Sequence, residues 1–135
     1  MNIKIRSATK NDKDFLAWVI LAATRSGLKQ GFWDLYILGN ENKILQFISK
    51  LVVHEQKTIN HYSHFKIAEI DGKPAGALGC FFANKLKREI LHSVIFDIWN
   101  QEGYTMEQLE TSKNKIEVFA TCFPGYPEDT WIIEY

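Results

Sequence analysis

The chain has 135 residues, 46% of them hydrophobic and 13% aromatic, enough to bury the core of one ordinary domain. With 16 Lys plus Arg against 16 Asp plus Glu its formal charge is zero, which gives no basic surface for a nucleic-acid backbone. No stretch of about 18 apolar residues occurs, so no membrane-spanning helix is expected, and Met1–Arg6 leads into no apolar run of the signal-peptide kind.

Alternation over Asn2, Ile3, Lys4, Ile5 and Arg6 predicts a short half-buried strand. Thr9 to Asp12 offers helix-capping chemistry, with Asp12 and Asp14 at the positive end of the helix dipole. The helix that follows carries Phe15, Leu16, Val19, Ile20 and Ala23 at helical spacing and is expected to end near Gly27. Gly31-Phe-Trp-Asp34 reads as an aromatic loop. Asn40 caps a second helix, whose apolar face is Ile44, Leu45, Phe47, Ile48, Leu51 and Val52. Beyond Asn60 the period changes to that of a strand, and Asp71-Gly72 is a hairpin signal. Pro74, Gly76 and Gly79 predict a bulged partner strand up to Phe82.

A third helix is expected from about Leu86 to Gln101, with Ile90, Leu91, Val94, Ile95, Ile98 and Trp99 on its core face. Thr105-Met-Glu-Gln108 has the form of a capping box, opening a further helix toward Val118. After Pro124 and Pro127, Trp131-Ile-Ile-Glu134 reads as a buried strand. The order is β-α-α-β-β-α-α-β, which predicts a single α/β (α+β) domain with a mixed, mainly antiparallel sheet flanked by helices.

Few residues carry a chemical signal. His54, His61 and His64 lie close in sequence, but no thiol or carboxylate follows at ligand spacing, and a surface or supporting role is the favoured reading over a metal site. Cys80 and Cys122 fit no metal or redox spacing and read as buried thiols of a reducing compartment, consistent with a cytoplasmic protein. Two readings stand for Trp33 and Asp34: a pocket wall with a carboxylate for a cation, or a loop pinned by aromatic anchors. Two stand for Glu134 as well. Within an apolar strand its carboxylate is suited to general-base work on an ammonium group, or alternation turns it to solvent. Residues 1–96 carry 14 basic and 8 acidic groups, and residues 97–135 carry 2 basic and 8 acidic ones. That acidic end is compatible with a cationic substrate or with a solvated face.

Ile5-Arg-x-Ala-Thr-x-x-Asp12, the hairpin Phe65-Lys-Ile-Ala-Glu-Ile-Asp-Gly-Lys-Pro-Ala-Gly-Ala-Leu78 and Trp131-Ile-Ile-Glu-Tyr135 together resemble the GNAT superfamily of acetyl-CoA-dependent N-acetyltransferases. The resemblance implies transfer of acetyl from acetyl-CoA to a small-molecule or peptide amine. It implies Glu134 as the base, Trp33, Asp34, Tyr62 and Phe82 on the substrate side, and Tyr135 beside the cofactor. The helices over 86–118 read as an insert between the hairpin and the fourth strand. No counterpart of the family's pyrophosphate loop is present, so the chain is expected to be the N-terminal part of such an enzyme and inactive alone. The alternative expectation is a non-catalytic module that binds a ligand or forms a homodimer through its last strand, whose apolar edge invites pairing.

Overall fold

A computed structural model describes residues 2–83, 88–120, 127 and 129–134. Strand β1 (Ile3–Ser7) is followed by a 3-10 turn (Lys10–Asp12) and three helices, α1 (Lys13–Arg25), α2 (Phe32–Tyr36) and α3 (Glu41–Val52). A second 3-10 turn (Tyr62–His64) opens the hairpin of β2 (Phe65–Ile70) and β3 (Lys73–Phe82). Helices α4 (Arg88–Gln101) and α5 (Met106–Ala120) precede the last strand, β4 (Trp131–Glu134). The sheet order is β1-β2-β3-β4, and all three pairings are antiparallel.

Local chemistry accounts for most of these boundaries. Asp71 and Gly72 both have positive φ, 50° and 79°, as a two-residue hairpin turn requires. The bulge expected on β3 is present: Ala68 faces Gly76 while Glu69 faces Pro74, which leaves Ala75 unpaired. The Asn40 side chain accepts the Lys43 amide at 3.0 Å. Thr105 and Gln108 form the reciprocal capping box, at 2.9 and 3.3 Å.

The core lies on one face of the sheet. Phe65 and Ile67 point from the strands into one cluster with Leu16 and Ile20 of α1 and Ile48 and Leu51 of α3, and all are essentially inaccessible. Val94, Ile95, Ile98 and Trp99 of α4 extend the same core. Trp99 stacks on Tyr36 at 5.3 Å and lies 6.5 Å from Phe47.

Two expectations for the strands are corrected. Ile3 and Ile5 do not face the core; they are 58% and 63% exposed. The register pairs Arg6 with the buried Ile67, so it is Arg6 that turns to the helix side. There it donates to Asp12 at 2.7 and 2.8 Å and to Glu69 at 2.6 Å. A strand's period of two leaves Ile3 and Ile5 on the opposite face once Arg6 is placed. Nor is β4 buried on both faces, since Trp131 and Ile133 are exposed.

Candidate active site at one end of the sheet

Antiparallel register lines Phe65, Gly79 and Glu134 up in one row across β2, β3 and β4. Residues directly opposite one another share a sheet face. Glu134 therefore lies on the helix-covered face with Phe65, half-buried, while Trp131 and Ile133 lie on the other. Alternation thus turns Glu134 to the helix-covered face rather than to the open one. Neighbouring strands are about 4.8 Å apart, so its backbone sits roughly 10 Å from that of Phe65.

The turn that leads into Phe65 brings a group of rings to the same end of the sheet. His61 lies 4.3 Å from Tyr62 and 6.2 Å from His64, and His64 lies 6.4 Å from Phe81. Phe81 faces Ile132 of β4 in register. The segment before the turn is unexpectedly buried for so polar a stretch. Thr58 is 2% exposed, Asn60 1% and His61 4%. The Asn60 amide donates to Thr58 Oγ1 at 3.2 Å, and the His61 amide to the Thr58 carbonyl at 3.0 Å. Composition gave no warning of this, because Thr and Asn are the ordinary residues of a solvated loop.

The imidazoles are tuned by that burial. Burial first, and then electrostatic repulsion, largest from Lys57, push the His61 pKa down to about 4. Burial and then Lys57 lower His64 in the same direction. Both rings are thus neutral at pH 7, and the Nε2 of His64 is buried with no hydrogen-bond partner. The unfolded chain takes up a proton on His61 near pH 6.5, but the folded chain does so only near pH 4. Acidification through that window therefore favours unfolding. The unfolding free energy is expected to fall by up to about 3 kcal/mol between those pH values. His61→Gln should flatten that slope, as read from urea midpoints across the window.

The other residues singled out from the sequence go elsewhere. Phe82 faces Trp131 on the open side of the sheet, at 5.7 Å, so it is not on the face that carries Glu134. Tyr62 is half-buried against His61. Gly31-Phe-Trp-Asp34 is not a loop: Gly31 is the N-cap of α2, and the next three residues form its first turn. Trp33 is 1% exposed, in edge contact with Phe32 at 5.0 Å. Asp34 accepts from Arg25 at 2.7 and 3.0 Å and from the Gly31 amide at 2.8 Å. Arg25 first, then that amide, hold the Asp34 carboxyl below the usual carboxylate range, although burial opposes them. The reading of this pair as aromatic anchors is the one that agrees with the packing, since the carboxylate is already engaged. Tyr135 and Cys122 lie outside the described residues, and Cys80 is a half-buried free thiol.

Among the described residues no three His, Cys, Asp or Glu side chains are grouped to hold a metal ion. The histidines are used locally: His54 Nδ1 accepts the Gln56 amide at 3.2 Å, and His61 Nδ1 meets Ser63 Oγ at 2.7 Å. A groove of about 440 Å³ is lined by α1, α3 and Val53 alone, without a residue of the sheet, and its Ser49 donates to Asp14 at 2.9 Å. Among the described residues no helix is long and apolar enough to cross a membrane.

No family model matches the sequence, and no curated protein matches it. Two solved structures match in three dimensions. One, described as an acetyltransferase, aligns with a TM-score of 0.60 and 20% identity over 76% of this chain and 50% of its own. The other, an N-acetyltransferase from Staphylococcus aureus Mu50, aligns with a TM-score of 0.51 and 18% identity over 66% of this chain and 52% of its own. The chain thus spans about half the length of the solved proteins it matches. At such identities the likeness is one of fold: over the part compared, this chain shares the fold of these two acetyltransferases.

Proposed function

We propose that these residues form the acceptor side of an N-acetyltransferase that moves acetyl from acetyl-CoA to a small-molecule or peptide amine. The observation that carries this reading is the position of Glu134, at the end of β4 and on the helix-covered face of a sheet with the acetyltransferase fold. A carboxylate there can take the proton from an acceptor ammonium, leaving the neutral amine as nucleophile. The neutral rings of His61 and His64 stand at the same end of the sheet without adding a cation that would repel such an acceptor. A cytoplasmic setting agrees with this reading and with the free thiol of Cys80.

The described part of β4 does not fit the cofactor's pyrophosphate. Its one charge is that of Glu134, which repels phosphate, and its other side chains are Trp131, Ile132 and Ile133. The chain also spans only about half of each matched acetyltransferase. In our reading the pyrophosphate contacts belong to the other half of the fold, and the 135 residues alone are inactive. Titration of acetyl-CoA into this protein is expected to show a Kd of about 1 mM or weaker, with amide shifts confined to β4 in NMR spectra. Micromolar binding by calorimetry would overturn that division of contacts. Millimolar acetyl-CoA that moves no β4 amide would overturn the acetyltransferase reading itself.

A further inference from the structure

The turn Tyr62–His64 is capped by an imidazole. His61 is its N-cap residue, with extended backbone, and His61 Nδ1 accepts the Ser63 amide at 3.3 Å. The oxygens of Ser, Thr, Asp or Asn ordinarily fill this role, and none of them gains a proton near neutral pH. An amide N–H can only donate, so Nδ1 is the unprotonated nitrogen and the neutral ring carries its proton on Nε2. The Ser63 hydroxyl, with Oγ 2.7 Å away, then donates to the same nitrogen. A second proton on this ring has to go to Nδ1, the atom that makes the cap. The Ser63 hydroxyl can turn round and accept from it, but the Ser63 amide cannot.

We infer that His61 is an acid-released latch: a proton on Nδ1 breaks the cap, and the turn Tyr62–His64 opens while the helices and sheet stay folded. The turn is held by little else of its own. The His64 amide donates to the His61 carbonyl at 3.0 Å, and the Phe65 amide to the Tyr62 carbonyl. Ser63 at its centre is exposed, so opening there uncovers little apolar surface. What moves is the ring group at this end of the sheet, with Tyr62 4.3 Å from His61 and His64 6.4 Å from Phe81. The titratable groups that act on the His61 ring are Lys57 and His54 from the segment after α3, His64 from the turn and Lys10 from the first 3-10 turn. All are basic, and none of them can pair with an imidazolium, so the charge is relieved by movement rather than by an ion pair. The closed turn takes up the proton near pH 4 and a released imidazole near pH 6.5. As pH falls between those values, the open fraction should therefore rise by as much as roughly 300-fold. The inference does not rest on the acetyltransferase reading.

Native-state hydrogen exchange between pH 7 and pH 4, together with 15N spectra of the imidazoles, tests it on the 135-residue protein. At pH 7 the His61 ring should carry its proton on Nε2. The His64 amide should be less protected than that of Ile48 in the core at every pH. Its protection, corrected for the intrinsic exchange rate, should fall on the order of 100-fold as the solution is acidified. His61→Asn supplies a cap that does not titrate and should remove most of that fall. His61→Ala, with no cap, should leave the His64 amide poorly protected already at pH 7. A neutral His61 ring protonated on Nδ1 would overturn the inference. So would a His64 amide as protected as Ile48, which would make the opening global, or a fall that His61→Asn leaves unchanged. The tautomer and the comparison with Ile48 are read from the unsubstituted protein, so they decide even if a variant fails to fold.

Discussion

Trp33→Ala should lower the unfolding free energy by about 3–5 kcal/mol, a large fraction of the 5–15 kcal/mol that holds an ordinary domain together. In a chain of this size that corresponds to a fall in Tm of roughly 10–20 °C. The reason is where the ring sits. It is 1% exposed, with Phe32, Tyr36 and Phe47 at centroid distances of 5.0, 6.0 and 6.4 Å, so its removal opens a large void among packed rings. Trp33→Phe is a sharper probe. The indole N–H is buried without a hydrogen-bond partner, so the smaller ring removes an unsatisfied donor while keeping most of the packing. It should cost no more than about 1.5 kcal/mol. Urea denaturation of both variants, with unchanged m-values, checks this. An alanine variant as stable as the parent would remove Trp33 from the core and return it to the wall of a binding site.

Arg25→Ala is expected to cost about 3 kcal/mol, since it leaves the Asp34 carboxylate, 8% exposed, without its cation. Arg25 ties three helices together. From the last turn of α1 it donates twice to Asp34 at the start of α2 and once to Glu41, at 2.6 Å, at the start of α3. The two partners are not equivalent. Glu41 is 60% exposed, so Glu41→Gln should cost under about 1 kcal/mol. Lysine at 25 should not restore the loss, because an ammonium lacks the planar fork that meets both oxygens of Asp34. Adding Asp34→Asn to Arg25→Ala should cost less than the two separate losses combined, since the orphaned charge is then gone. The pH dependence has a definite sign. A carboxyl that titrates lower when folded contributes its stability above the unfolded value near 4 and loses it as pH falls. The gap between parent and Arg25→Ala midpoints should therefore be widest at pH 7 and narrow toward pH 3. A gap independent of pH would mean that packing, not charge, is what Arg25 supplies.

How much of this was legible beforehand depended on the range of the interactions. The Asp71-Gly72 turn, the bulge near Pro74, the Asn40 cap and the Thr105–Gln108 box are set by residues within a few positions of one another, and each is found where the spacing puts it. The core face of α4 was equally plain, because Val94, Ile95, Ile98 and Trp99 repeat at helical spacing. Helix α2 escaped notice because it has five residues, too few for a period to show. The partners of Arg6 and Arg25 escaped because Glu69 and Asp34 come to them only through the fold. The direction of Ile3 and Ile5 was hidden for a related reason. Alternation says that one side of a strand is buried, and only the pairing of Arg6 with Ile67 says which. Glu134 was readable as a carboxylate in an apolar strand, but its row-mates Phe65 and Gly79 were not. The burial of Thr58, Asn60 and His61 had no sequence signature at all.

The start of α2 sets a limit on how this protein can vary. A Cβ at position 31 would overlap main-chain atoms of Thr24 and Arg25, which no change of rotamer can move aside. At Gly76, by contrast, a Cβ meets nothing within 4 Å. The spacing of α1 and α2 is thus dictated by main chain against main chain. Natural drift can remodel the aromatic side chains around this junction, but it has no compensating substitution to offer at codon 31.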